Sequence, residues 1–543
     1  MKILTIHCSL APFWQKCAQV LNLDLPPGLI DLSRHPKAIE FKPDIIFQQE
    51  TLGPRTFLFG LSGFNCPKIF WSIDTHLNFF WHKFYGKNFD LVLTTQPHFV
   101  RQFGPNAKCL PWYGVDLAWI PWKKRKYGLS FVGRLSAHRP VRNNLVQFLQ
   151  NNFPDFTFAQ DIDFQSMLEI YRLSKLIVNE CINGELNFRF FEALSQGGLL
   201  LTPFKQEFES LFKPGRELVT YTDGFELKEK IIFYQKKELL AKAIARAGYE
   251  RILKQHLVEH RIDFLNKILP KLGFEDKTGQ ELRNVIISFC FYGLNQRCLP
   301  KDVLLSKLSL LPKDPLVLSL EWELNLERPQ VLLPSLVHVL DQKIGLTDLE
   351  LNAAGTYVAL LLNRNDLAKF FIWRYLKALN RPCPDLKTKL DYFWFWAKEF
   401  FRQQILAREG FLFEANYHLP RSCLEWLVLI LQQDQKNKQA LSLCKNVCKQ
   451  IPGLKGLLLQ VESWLSLLEP DNWRLNLELA KTNWQNFRIT QGQEELALAW
   501  EKAKEQEATH LFYLHQQKLF GYLKTNHGLI GINNLRLQER TFS

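Results

Sequence analysis

Over the first 270 or so positions, short continuous apolar runs alternate with longer amphipathic stretches. The runs Lys2–His7, Asp44–Phe47, Lys68–Trp71, Asp90–Thr94 and Lys108–Leu110 predict strands, and so do Leu129–Val132, Lys175–Glu180, Gly198–Thr202 and Glu217–Tyr221. Runs without a polar alternate suit strands buried on both faces of a parallel sheet. Strand, crossover and strand repeated in this way predict a doubly wound α/β architecture. The rhythm fails between Trp112 and Tyr127, where WYGVDLAWIPWKKRKY carries Pro121 and follows Pro111 with neither period. A domain boundary is expected there. It separates two α/β domains at 1–115 and 125–270, and a cleft between two such domains is a natural ligand site.

From about 275 the apolar residues return at helical spacing, as from Leu349 through Ala353 and Tyr357 to Leu361 and from Leu424 to Leu431. Polar turns at 363–366 and 433–437 divide Leu349–Leu379 and Ser422–Gln450 into helix pairs of tetratricopeptide-like length. Small residues for close packing appear at Ala354, Gly355, Ala368 and Ala440. A degenerate helical-repeat domain is therefore expected over 275–543. The aromatic cluster 392–396 reads as its core.

A chain of 543 residues exceeds one ordinary core, and 47% hydrophobic against 22% charged residues excludes a mainly disordered chain. The net charge of +14 favours an anionic partner without choosing one. No leader pattern follows Met1 and no apolar run approaches bilayer length. Eleven cysteines without a Cys-x-x-Cys pair read as reduced core thiols. A cytoplasmic setting is expected, with no metal, no cofactor, no nucleic-acid partner and no membrane span. The basic run 123–126 between Trp119, Trp122 and Tyr127 reads as a solvated linker with its aromatics tucked against a domain.

Three stretches carry candidate chemistry. In NECINGELNFRFFEALSQGG, from Asn179 to Gly198, a strand ends, a polar turn follows, and a helix begins near Asn187 and stops at Gly197. The arrangement puts unpaired helix N–H groups at the carboxyl edge of a parallel sheet, which suits a phosphate. Arg189 and Glu192 share a helix face, so a guanidinium is available for phosphate and a carboxylate for ribose hydroxyls. The same spacing also fits an ion pair on a solvated helix start. In LSFVGRLSAHRPVR, a strand runs into Gly133 and then into Arg134, Arg139 and Arg142 before a helix from about Asn143. Glycine permits close approach to a phosphate and arginines offset a diphosphate, although an ordinary strand-to-helix loop would look the same. The third stretch, KIFWSIDTH, presents Asp74 and His76 at a strand end as candidate catalytic groups.

FVGRLSAHRPVR, ELNFRFFEALSQGGLLLT, LFKPGRELVTYTDGFELKEKI and IARAGYERILKQHLVEHR, in this order, resemble the nucleotide-binding half of GT-B glycosyltransferases. The likeness is to the group related to the spore-maturation protein CgeB and to family 4, and extends loosely to 65–115. It implies two Rossmann-like domains, a nucleotide-sugar donor on the second and an acceptor on the first. Glu192 matches the ribose-binding glutamate; Arg189 and the Gly133/Arg134/Arg139 loop are similar to diphosphate-contacting elements, with Asn187 a further candidate substrate-binding residue. Glu185 precedes Glu192 by seven positions where family 4 commonly has eight. Asp74 and His76 would lie on the acceptor side. Metal-independent transfer with retention is implied, because arginines and helix dipoles offset the charge of the leaving diphosphate. The helical region would suit a protein acceptor or partner; the alternative is a non-catalytic nucleotide-sugar-binding scaffold.

Overall fold

The structure, a computed structural model, describes residues 1–520 apart from His138, Asn183 and Asp276. Residues 521–543 of the expected helical domain, Asn183 of the polar turn and His138 of the arginine loop lie outside the described residues.

The apolar runs form two parallel sheets. The first has six strands in the order β2-β1-β4-β6-β7-β8. These are β1 (Lys2–Ile6), β2 (Gln19–Leu23), β4 (Ile45–Gln49), β6 (Lys68–Ser72), β7 (Leu91–Thr94) and β8 (Ala107–Cys109). A separate parallel pair joins β3 (Gly28–Asp31) to β5 (Thr56–Phe59). The second sheet has the order β10-β9-β11-β12-β13. Its strands are β9 (Tyr127–Val132), β10 (Phe156–Ala159), β11 (Ser174–Val178), β12 (Leu199–Pro203) and β13 (Val219–Tyr221). Helices dominate after Thr278, so the fold class is two Rossmann-like α/β sheets followed by an all-helical region. Among the described residues no helix is long and apolar enough to cross a membrane.

The chain divides into two compact units, each combining one α/β segment with one helical segment. The first unit is Met1–Pro111 with Arg261–Gln435. Its helix Thr278–Gln296 packs on the helix Thr75–Tyr85 and on β5, with Phe289 edge-on to Phe57 and Phe291 stacked on Phe84. Glu281 of that helix is buried and accepts from the Leu61 and Ser62 N–H groups, satisfying donors that a 3₁₀ turn leaves open. Deeper among these helices Arg421 bonds both Glu323 and Glu350 at 2.8 Å. The helices Leu349–Leu361 and Asn365–Ala378 pair closely because Gly355 leaves room for the Phe371 ring, which would collide with any Cβ there.

The second unit is Trp112–His260 with the helices after Lys436. Phe487 packs against Phe148 and Tyr221, and Trp484 stacks on Phe225. Helices after position 275 are thus shared between two bodies, because each supplies an apolar face that its own sheet covers.

Some local expectations need correction. Arg125 of the basic run is buried rather than solvated: it donates to the Ser174 and Gln196 carbonyls and lies over the Trp119 and Trp122 rings. The helix expected from Asn143 begins at Pro140, where a missing N–H costs nothing. All eleven cysteines are free, but Cys17, Cys298 and Cys383 are exposed and Cys109 is half-buried, so core burial describes only the other seven.

Candidate functional site

In the second sheet the chain runs from β9 outward to β10 and then back past β9 to β11. The order therefore reverses between β9 and β11, and a crevice at the carboxyl ends of such strands is where open α/β sheets bind ligands. Val132 and Gly133 end one strand there, and Asn179 and Glu180 follow the other.

Arg189, in the first turn of the helix Phe188–Ser195, spans this point. Its Nη2 donates to the Val132 carbonyl at 2.7 Å, Nη1 to Asn179 Oδ1 at 2.6 Å, and Nε to Val132 O and the Tyr171 hydroxyl. The guanidinium also lies over the Phe131 ring, 4.8 Å from its centre. Gly133 has its reason here: a Cβ would sit 2.8 Å from Arg189 Nη2. The space opened by glycine is filled by the protein's own guanidinium.

Asn187 precedes the same helix without capping it. Its amide instead donates to Asn179 Oδ1 and the Glu180 carbonyl, both at 3.0 Å, while its Oδ1 is buried without a hydrogen-bond donor. Glu180 is buried and takes Arg142 at 2.8 Å. Glu185 is buried and accepts from the Ile182 N–H, tying the turn. Arg134 lies out in solvent beside Asp161. Burial drives the Glu192 carboxyl up to about 7, against the opposing pull of Arg189 and a hydrogen bond with Trp112.

The raised Glu192 group makes a testable difference to stability. The folded protein keeps a proton that the free side chain releases near 4.5, so stability is full below that pH and is lost as pH rises through about 7. The loss amounts to about 3 kcal/mol. Glu192→Gln keeps an acceptor for Trp112 without the charge. It should match the wild type at pH 4 and exceed it at pH 8 in urea midpoint; an equal gap at both pH values would contradict the assignment.

A cavity of about 680 Å³ adjoins these strand ends. Arg139, Arg142, Glu180 and Ile182 line one side, and Gly453, Trp464, Leu467 and Arg488 line the other. Of the arginine loop, Arg139 and Arg142 are among its lining; Arg134, Gly133, Glu185, Asn187, Arg189 and Glu192 are not. Beside Glu180, Lys455 is half-buried, and its ammonium is held below the usual lysine range by burial and by Lys205. Lys205 Nζ lies so close over Gly184 that a Cβ would collide with it.

The reading that arginines replace a metal passes over one Asp-x-Asp run, Asp161-Ile162-Asp163. Asp163 caps the helix Phe164–Leu173 through Ser166, and Asp161 pairs with Arg134, so both carboxylates have structural partners. Among the described residues no group of three or more potential ligand side chains is arranged to hold a metal ion.

In the first unit, Asp74 precedes the helix Thr75–Tyr85 without capping it, and its N–H and that of Ile73 donate to Glu50 at 2.9 and 2.7 Å. His76 is buried, and its Nδ1 has no hydrogen-bond partner. The dense chemistry lies beside them instead. Glu50 also receives Asn78, with Arg55 and His82 each at 3.3 Å, and His82 Nδ1 meets Ser72 Oγ at 2.8 Å. Glu50 stays ionised: burial opposes its charge, but His82, Arg55 and the backbone donors outweigh it. Burial keeps the His82 ring below its usual range.

No curated protein matches the chain. Similar solved structures include a glycosyltransferase from Rickettsia africae (11% identity, 50% of this chain and 98% of that one, TM-score 0.36). Another is Anabaena HepE in complex with UDP and glucose (12% identity, 50% and 100%, TM-score 0.36). A third is sucrose-phosphate synthase from Thermosynechococcus elongatus (12% identity, 50% and 98%, TM-score 0.38). Residues 122–267, which hold the whole second sheet with Arg134, Arg139, Asn187, Arg189 and Glu192 at its carboxyl edge, match the family described as glycosyl transferase-like.

Proposed function

We propose that the chain is a glycosyltransferase whose nucleotide-sugar donor binds at the carboxyl edge of the second sheet. The observation that carries this reading is the coincidence of the matched stretch, 122–267, with a strand-order reversal surrounded by Arg139, Arg142, Arg189 and the buried Glu192. A leaving diphosphate needs positive charge held in place before it departs, which fixed guanidinium groups supply without reorganising. Glu192, when ionised, offers two acceptor oxygens to ribose hydroxyls. Metal independence, retention of configuration and acceptor groups at Asp74 and His76 complete the reading, as does a protein acceptor recruited by the helices. A cytoplasmic setting agrees with eleven free thiols.

Calorimetric titration of the full chain with UDP, GDP, dTDP and CMP sugars tests the donor, followed by transfer assays over an acceptor panel. Binding of one donor class with measurable transfer is expected; no binding to any of them refutes the reading. If ribose contacts need the Glu192 carboxylate, donor affinity should rise roughly tenfold between pH 6 and pH 8, as a group of pKa about 7 ionises. A flat profile over that range would remove Glu192 from the site.

One observation favours a second reading. Arg189 spends its donors on Val132, Asn179 and Tyr171, as a side chain kept for the fold would do. A donor-binding scaffold without turnover predicts binding with neither transfer nor donor hydrolysis in the same assays.

A further inference from the structure

The two walls of the 680 Å³ cavity differ in chemistry. The wall from the matched stretch is polar and basic, with Arg139 at the start of the helix Pro140–Asn152 and Arg142 paired to Glu180. The opposite wall comes from a segment almost 200 residues beyond that stretch: the helix Lys455–Leu468 and the turn before the helix Ile489–Glu505. Its helix turns Trp464 and Leu467 toward the cavity at 40% and 73% exposure, although both are large apolar side chains. Its turn contributes the exposed Arg488. The lining thus carries three guanidinium groups, one carboxylate and, on the helical wall, a half-exposed tryptophan. The volume lies within the range of small-molecule sites.

We propose that this distant helical wall is part of the donor pocket and selects for a nucleoside diphosphate. The indole of Trp464 takes a flat heteroaromatic base by stacking, and Arg488 meets the phosphates opposite Arg139. A ligand that is aromatic at one end and doubly anionic at the other satisfies both walls, whereas a plain sugar or an inorganic anion satisfies only one. Stacking on tryptophan tolerates any base, so these residues would set the class of ligand and leave the choice of base to polar contacts. The inference rests on the donor-site reading above and assigns to it residues outside the matched stretch.

The test uses the intact chain and the variants Trp464→Ala and Arg488→Glu, both altered at exposed positions so that folding is retained, which unchanged melting temperatures verify. Each is titrated calorimetrically with UDP, GDP, dTDP and CMP. The expected result is that the wild type binds and that each variant binds at least tenfold more weakly, with Arg488→Lys recovering part of the loss. Wild-type binding that survives both substitutions within twofold overturns this proposal and leaves the donor-site reading standing. Failure of the wild type to bind any of the four nucleotides overturns the donor-site reading itself, and this proposal with it.

Discussion

An Arg189→Ala variant is expected to lose about 3 kcal/mol of folding stability before any ligand is added. Removal of the guanidinium takes both of its donors from the Val132 carbonyl, leaves Asn179 Oδ1 with the Asn187 amide alone, strips the Phe131 face of its cation and opens a void beside Gly133. Unsatisfied buried acceptors cost about 1–3 kcal/mol each and small voids add to that. Urea titration measures the loss, and a variant as stable as the wild type would show that this guanidinium does not hold the strand ends. A double-mutant cycle sharpens the point. Gly133→Ala should destabilise the wild type by pushing Arg189 off its partners, but less in the Arg189→Ala background, where only the Phe131 ring still crowds the new Cβ. For donor binding, Arg189→Lys is therefore a cleaner probe than alanine. It keeps the charge while losing the planar fork.

The second large effect lies in the helices of the first unit. Arg421→Met should cost about 3–5 kcal/mol, because it strands the Glu323 carboxylate, which is fully buried and meets Arg421 Nη2 at 2.8 Å and Nε at 3.2 Å. The loss should shrink in acid, where protonation of the stranded carboxyl removes its charge. Adding Glu323→Leu to Arg421→Met should recover part of the stability: it removes the stranded charge, but Glu350 still lacks Arg421 and the buried Leu419 N–H loses the Glu323 oxygen that accepts it. Thermal melts at pH 5 and pH 8 distinguish these outcomes; equal damage from the single and double variants would mean that the pair matters only as packing.

Every central strand was legible in the sequence, and so were the edge strands β8 and β13. β4, β6, β7, β11 and β12 are nearly solid apolar runs because both faces of a parallel strand are covered. The sequence reading misses β2 and β10, edge strands whose side chains are half in solvent and lack a continuous run. It also misses β3 and β5, each four residues long; β5 sits among Gly53, Pro54 and Gly60, which read as loop. The polar turns at 363–366 and 433–437 do separate helices, since a period of 3.6 over a dozen residues is a stronger signal than four apolar positions. Only Leu349–Leu379 is a helix pair, however; the two helices of Ser422–Gln450 belong to different compact units, so that expected pair is not formed.

At the candidate site the same contrast holds. Arg189, Asn187 and Glu192 stand out because one strand, one turn and one helix start carry them within fourteen residues of Asn179. What their side chains touch was not legible: the guanidinium turns back onto Val132, more than fifty residues earlier. Glu50 gives no signal beside His82, because only the pairing of β4 with β6 brings them together. Trp464 and Arg488 read as ordinary residues of a helical array; nothing local relates them to Arg139.

Each body is assembled from two stretches of chain, with junctions at 111/112, 260/261 and 435/436. One backbone cut anywhere between the first and last junctions therefore leaves at least one body held together by packing alone, its pieces no longer covalently joined. Gene truncations that keep only the α/β portion would strip Phe57, Phe84, Phe148 and Tyr221 of the rings that cover them. Such fragments should be insoluble by themselves, yet soluble when the missing piece is co-expressed.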